Sequence, residues 1–161
     1  MGPCGSGKST VARTIGQKLK LPVYHMDQLY WNPGWQAGSA EVLSHRLNEI
    51  TESEEWIIDG NFSRSLESRL RRSDTIIYLD YSTWRCFWRI LKRISKYKNQ
   101  VRPDMAEGCP EKFDLNFMHY VLVWNLQNRK KMMKILAGEE KSKHVVIAKN
   151  DRELQNSIDE L

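Results

Sequence analysis

The segment Gly2-Pro3-Cys4-Gly5-Ser6-Gly7-Lys8-Ser9 fits G-x-x-x-x-G-K-[ST], and no other stretch of the 161 residues constrains the fold as tightly. Gly2, Gly5 and Gly7 let the backbone curl so that successive N–H groups face a phosphate. Lys8 supplies a point charge for the outer phosphates, and Ser9 offers a hydroxyl to Mg²⁺. Pro3, Cys4, Ser6 and Thr10 complete the cradle. Behind the loop, Val11, Ile15 and Leu19 recur at four-residue spacing, so a helix follows whose positive dipole end faces the same anion. The bland alternative is a Gly-rich turn that happens to open a helix. Such a loop ordinarily follows a buried strand of about five or six residues, and here Met1 stands in that place. The expectation is that the central strand is missing and that the chain is short by about six residues. A chain starting at Met1 is then expected to show a sheet split at its middle and a poorly held loop.

Short apolar runs alternate with helical patterns in the remainder. Val23–His25, Trp56–Ile58, Thr75–Leu79 and Val145–Ala148 are β-branched or aromatic and closed by polar residues, as buried parallel strands are. Helices are expected over Lys8–Lys20, Ala40–Ile50, Trp84–Lys98 and Glu111–Leu136, the last with Pro110 in its first turn. Strands alternating with helices predict an α/β fold, one domain over residues 1–161, with a parallel sheet covered on both faces. Hydrophobic residues at 40% and charged residues at 28% exclude a disordered chain. No apolar run approaches a membrane span of about 20 residues, so no membrane partner is expected. Cys4, Cys86 and Cys109 are odd in number and scattered, which points to reduced thiols; with no targeting signal, a cytoplasmic setting is expected.

Three acids follow apolar runs, at the strand ends where open α/β sheets bind ligands: Asp27, Asp59 and Asp80. Asp59, ahead of Gly60, reads as an acid of the Mg²⁺ shell. Asp27 reads as an acceptor for a substrate hydroxyl. Asp80 reads as a turn or helix N-cap. Residues 84–102 hold Arg85, Arg89, Lys92, Arg93, Lys96, Lys98 and Arg102 with no acid, a local +7 in a chain of net +5. Arg85, Arg89 and Arg93 share one helix face and read as unpaired groups awaiting an anion, the charge of a transferring phosphoryl group. A solvated basic face and a nucleic-acid patch are the alternatives.

On these motifs the chain resembles the P-loop nucleoside and nucleotide kinases. Within them it resembles the adenylate kinase-related family often labelled "DNA topology modulation protein". The resemblance rests on Gly2–Ser9, His25–Trp35, Trp56–Asn61 with Arg64, and Arg102–Asp114, and covers nearly the whole chain. It implies a three-layer fold with a helical lid over about residues 96–114, no zinc in that lid, and ATP with Mg²⁺ as cofactors. It implies that Asp59 is the Mg²⁺-shell acid and Arg64 a substrate-phosphate arginine. Arg89 and Arg93, nine and thirteen residues beyond Asp80, become lid-edge arginines on the adenine or the phosphates. By likeness to shikimate kinase-like enzymes Asp27 meets the acceptor hydroxyl. Arg129 becomes a further phosphate arginine, and the turn at Lys149–Asn150 passes the adenine.

Tyr30, Trp31 and Trp35 surround Pro33-Gly34 and read either as a mobile aromatic loop at the acceptor or as core packing. Trp56, Trp84, Trp88 and Trp124 read as packing, and His25 as structural. The function expected is transfer of the γ-phosphoryl group of MgATP to a small nucleotide-like or hydroxyl-bearing acceptor. The alternatives are an ATP-binding regulator linked to DNA topology and an inactive nucleotide-binding remnant.

Overall fold

The computed structural model describes all residues from Met1 to Leu161. In chain order its elements are helix α1 (Lys8–Leu19), strand β1 (Val23–His25), helix α2 (Met26–Tyr30), strands β2 (Trp31–Asn32) and β3 (Gln36–Ala37), helix α3 (Ala40–Glu52) and strand β4 (Ile57–Asp59). A 3₁₀ turn (Ser63–Ser65), helix α4 (Leu66–Arg72), strand β5 (Thr75–Leu79), helices α5 (Thr83–Lys96) and α6 (Leu115–Glu139), strand β6 (His144–Ala148) and helix α7 (Asp151–Asp159) follow. The chain divides into two units, Met1–Gly7 with Ser73–Arg93 and Phe113–Leu161, and Lys8–Arg72 with Ile94–Lys112.

In the first unit β5 and β6 pair in parallel, with Thr75 opposite His144 and Leu79 opposite Ala148. Apolar side chains at Ile76, Tyr78 and Leu79 are buried there with Cys86, Ile90, Val121, Trp124 and Leu136. Met1 stands beside β5: its ammonium donates to the Ile77 carbonyl at 2.6 Å, and its carbonyl accepts from the Leu79 N–H at 2.9 Å. Helix α6 starts at Leu115 rather than Glu111, because the Asp114 carboxylate accepts from the Phe117 N–H and caps it. At α7, Asn150 Oδ1 accepts from the Glu153 N–H, while the Glu153 carboxylate accepts from the Lys149 N–H. Trp124 packs inside, as its sequence context suggests, but Trp84 and Trp88 on α5 are 66% and 60% exposed. The buried stripe of α5 runs through Cys86 and Ile90 instead.

In the second unit β1 and β4 pair in parallel, with His25 opposite Asp59. Met26, Leu43 and Leu47 form the core against which Leu29, Tyr30, Ile58 and Phe62 pack. The parallel sheet is therefore present as two separate two-stranded ladders, β1–β4 and β5–β6. The small hairpin β2–β3 was not legible in the sequence; it turns through Asn32-Pro33-Gly34-Trp35. Residues 97–112 hold no helix, which corrects the expected helical lid. Pro103 and Pro110 remove backbone donors and Gly108 takes φ +72°, each against a helix. The segment closes on itself through Asn99 N–H to the Glu111 carbonyl and Glu111 N–H to the Gln100 carbonyl. No helix is long and apolar enough to cross a membrane.

Candidate active site

The phosphate-loop motif runs from the first unit, which ends this stretch at Gly7, into the second, which begins at Lys8. On the first side the loop is curled: Gly2, Gly5 and Gly7 have φ of +135°, +81° and +98°, and the Ser6 N–H donates to the Pro3 carbonyl at 3.2 Å. Gly5 has no alternative, since a Cβ there would lie 2.4 Å from the Cys86 carbonyl oxygen. Cys4 is half-buried, and the buried Ser6 hydroxyl lacks a partner. Arg89 donates from Nη1 to the Ser6 carbonyl at 2.9 Å and stands 3.6 Å from where a Gly7 Cβ would be. Arg89 is thus held against the loop.

Its neighbours come from distant parts of the chain. Arg89 Nη2 donates to both oxygens of Asp151 at 3.0 and 2.9 Å, and Arg85 pairs with the same carboxylate. Tyr81 donates its hydroxyl to Asp151 at 2.7 Å, and both guanidinium groups lie over its ring, 4.6 and 5.2 Å from the centroid. Burial pushes the Asp151 carboxyl up, but the Tyr81 hydroxyl and the two arginines outweigh it and hold it below the usual range. Burial and Asp151 push the Tyr81 hydroxyl up to about 12. Arg85 and Arg89 are therefore not the unpaired groups the sequence suggested: the missing acid comes from α7, more than 60 residues away.

In the second unit Lys8 and Ser9 open α1, and Thr10 is exposed on its outer face. Asp59 closes β4, is 8% exposed, and accepts from His25 Nδ1 at 3.1 Å. Burial pushes its carboxyl up, yet the His25 hydrogen bond, Lys8 and the Ser9 hydroxyl bring it down to about 2. Its other oxygen, Oδ1, is buried with no hydrogen-bond partner. A permanent carboxylate with one orphaned oxygen, next to a lysine and a serine hydroxyl, fits a hard divalent cation, which takes one or two carboxylates besides phosphate and water. Asp27 lies in the first turn of α2. Burial pushes its carboxyl above the ordinary range, Lys8 and Arg102 pull it back in part, and Asp59 and Asp104 raise it.

No protein-family model and no curated protein matches the chain. Among solved structures it is similar to a shikimate kinase from Bacteroides thetaiotaomicron, at 22% identity and TM-score 0.58 over 99% of this chain and 92% of that one. A shikimate kinase from Aquifex aeolicus is also similar, at 16% identity and TM-score 0.49 over 98% and 91%. The fold is that of the P-loop kinases.

On this P-loop kinase fold the other expected residues fall unevenly. Arg129 donates to both oxygens of Asp80 at 2.7 Å each, and Asp80 raises its pKa in turn. That pair gives Asp80 a salt-bridge role rather than a cap. Arg64 is exposed on the 3₁₀ turn. The buried arginine of that stretch is Arg69, which donates to the carbonyls of Gly60, Asn61, Phe62 and Ser65. Arg93 lies over the Phe117 ring at 5.8 Å. Asn150 serves as the α7 cap, its side chain and the Lys149 N–H both engaged with Glu153.

The aromatic trio is packing. Tyr30 meets Phe62 edge-on, and Trp31 and Trp35 cover Met105, Ala106 and Cys109. Trp35 Nε1 donates to the Pro110 carbonyl at 3.1 Å, and Gly34 N–H to the Gly108 carbonyl at 2.8 Å. The segment read as a lid is thus bound to the hairpin of the second unit, and Gln28 adds a bond to the Pro103 carbonyl at 2.7 Å. Inside it Arg102 is buried between Asp104 and Glu111, at 2.7 and 2.6 Å.

Proposed function

We propose that this chain is a phosphotransferase that moves the γ-phosphoryl group of MgATP to a small nucleotide-like or hydroxyl-bearing acceptor. The observation that carries the proposal is the buried Asp59 carboxylate with its unpartnered oxygen beside Lys8 and Ser9. It is the arrangement a metal–triphosphate needs and an ordinary strand-end turn does not. The curled loop Gly2–Gly7 and the adjacent Arg89 support it.

In this proposal the loop N–H groups and Arg89 of the first unit bind phosphate; in the second unit Lys8 takes charge that develops on the moving group, and Ser9 and Asp59 would hold Mg²⁺. The cation, when bound, neutralises phosphate charge. Asp27 orients the acceptor hydroxyl. Its burial-raised carboxyl suits it to take the hydroxyl proton as the acceptor oxygen bonds to the γ-phosphorus and the bond to the β-phosphate oxygen breaks, releasing ADP. The narrower kinship with the adenylate kinase-related "DNA topology modulation" group belongs to the same proposal and rests on the motifs alone, and a cytoplasmic setting belongs to it on the three free cysteines.

The test is label transfer from γ-labelled ATP to a panel of nucleoside monophosphates, nucleosides and small hydroxy acids. Transfer to at least one acceptor, lost in Lys8→Ala and reduced at least 100-fold in Asp27→Asn, is expected. Transfer that survives Lys8→Ala would refute it.

A further inference from the structure

Arg89 touches the phosphate loop, and one loop carbonyl and two side chains decide where its guanidinium can be. One nitrogen is bonded to the Ser6 carbonyl, the other to both oxygens of Asp151, and the plane lies over Tyr81. Tyr81 in turn is bonded to Asp151 and is 1% exposed, so it cannot move aside. Asp151 is the first residue of α7, fixed by the Asn150 and Glu153 bonds at that helix start. A flexible arginine is thereby confined to one position by a carboxylate on a capped helix and a ring on a packed strand end. An arginine held so loses little freedom when an anion arrives, which is how a preorganised group acts on charge.

We infer that Asp151, supported by Tyr81, is the positioning residue for Arg89, setting its guanidinium against the phosphate loop so that it engages the phosphates of the nucleotide. Asp151 acts through Arg89 and touches no substrate. Its charge does not cancel the site, because Arg85 and Arg89 together carry twice the charge of the one carboxylate. The rival role is that of a simple counter-ion that competes with phosphate for the two arginines. The two roles differ in sign: removing a positioning carboxylate weakens phosphate binding, whereas removing a competitor strengthens it. The inference rests on the kinase reading above.

The experiment is a double-mutant cycle on the full chain, read by calorimetry as the Kd for MgATP, with inorganic tripolyphosphate as a second probe. Asp151→Asn keeps the shape and removes the charge. It is expected to weaken both probes about tenfold in the wild-type background and less than twofold in an Arg89→Gln background. Tyr81→Phe, which removes only the hydroxyl, is expected to weaken both about threefold, again with the effect lost in Arg89→Gln. Tighter binding by Asp151→Asn, unchanged binding, or an equal loss in both backgrounds would each overturn the inference while leaving the kinase reading intact. A wild-type chain that binds neither probe would overturn both.

Discussion

Asp59 stays ionised although it is buried, and that sets a pH dependence with a definite sign. Its folded pKa of about 2 lies below the unfolded value of 3.8. Its contribution is therefore fully present above about pH 4 and is lost as pH falls through 2, about 2 kcal/mol in all. Denaturant melts of the wild type and Asp59→Asn between pH 2 and 6 check this: the stability difference between them shrinks as pH falls. Arg69 makes a second residue-scale case. Its charge holds the carbonyls of Gly60, Asn61 and Phe62 in place, and Phe62 itself has φ +21°. Lysine has no planar fork, so Arg69→Lys is expected to cost about 2–4 kcal/mol in urea unfolding. Asp59 was legible in the sequence because it ends an apolar run ahead of Gly60, a glycine whose Cβ would lie 2.5 Å from that of Met26. Arg69 was not, because it sits among Arg71 and Arg72 in what reads as a basic helix end. Asp151 was not, because only the folded chain brings it to Arg89.

Among the elements, strands Val23–His25 and Thr75–Leu79 emerged with their sequence boundaries, since runs of β-branched and aromatic residues admit little else. The hairpin β2–β3 escaped notice because two-residue strands have no periodicity to read, and its turn places Trp35 at φ +64°. Residues 97–112 differ from the expected helical lid. The helical lid there is what the resemblance implies and not what any periodicity shows; the segment is ordered instead by Arg102 with Asp104 and Glu111 and by Met105, Ala106 and Cys109 packed under Trp31 and Trp35. Arg102→Met would leave two acids without their buried partner. It is expected to destabilise the chain by about 3–5 kcal/mol in chemical denaturation, while Lys92→Ala on the exposed side of α5 stays within about 0.5 kcal/mol of wild type.

For the molecule as a whole, the charge map differs from the one the sequence suggests. Of the seven basic residues in 84–102, Arg85 and Arg89 are bound to Asp151 and Arg102 to Asp104 and Glu111. The local +7 is thus partly neutralised, and duplex DNA is expected to bind with a Kd no tighter than about 10 μM near 100 mM salt; a salt titration by fluorescence anisotropy checks this. On the proposed function, Lys8, Ser9 and Asp59 hold a metal–nucleotide, and calorimetric titration of the full chain with ATP, with and without Mg²⁺, reads that binding itself. Micromolar binding is predicted for MgATP, weakened at least tenfold by chelating the metal or by Asp59→Asn, and by more in Lys8→Ala. Binding that is absent in the wild type, or equal in wild type and both variants, would contradict it.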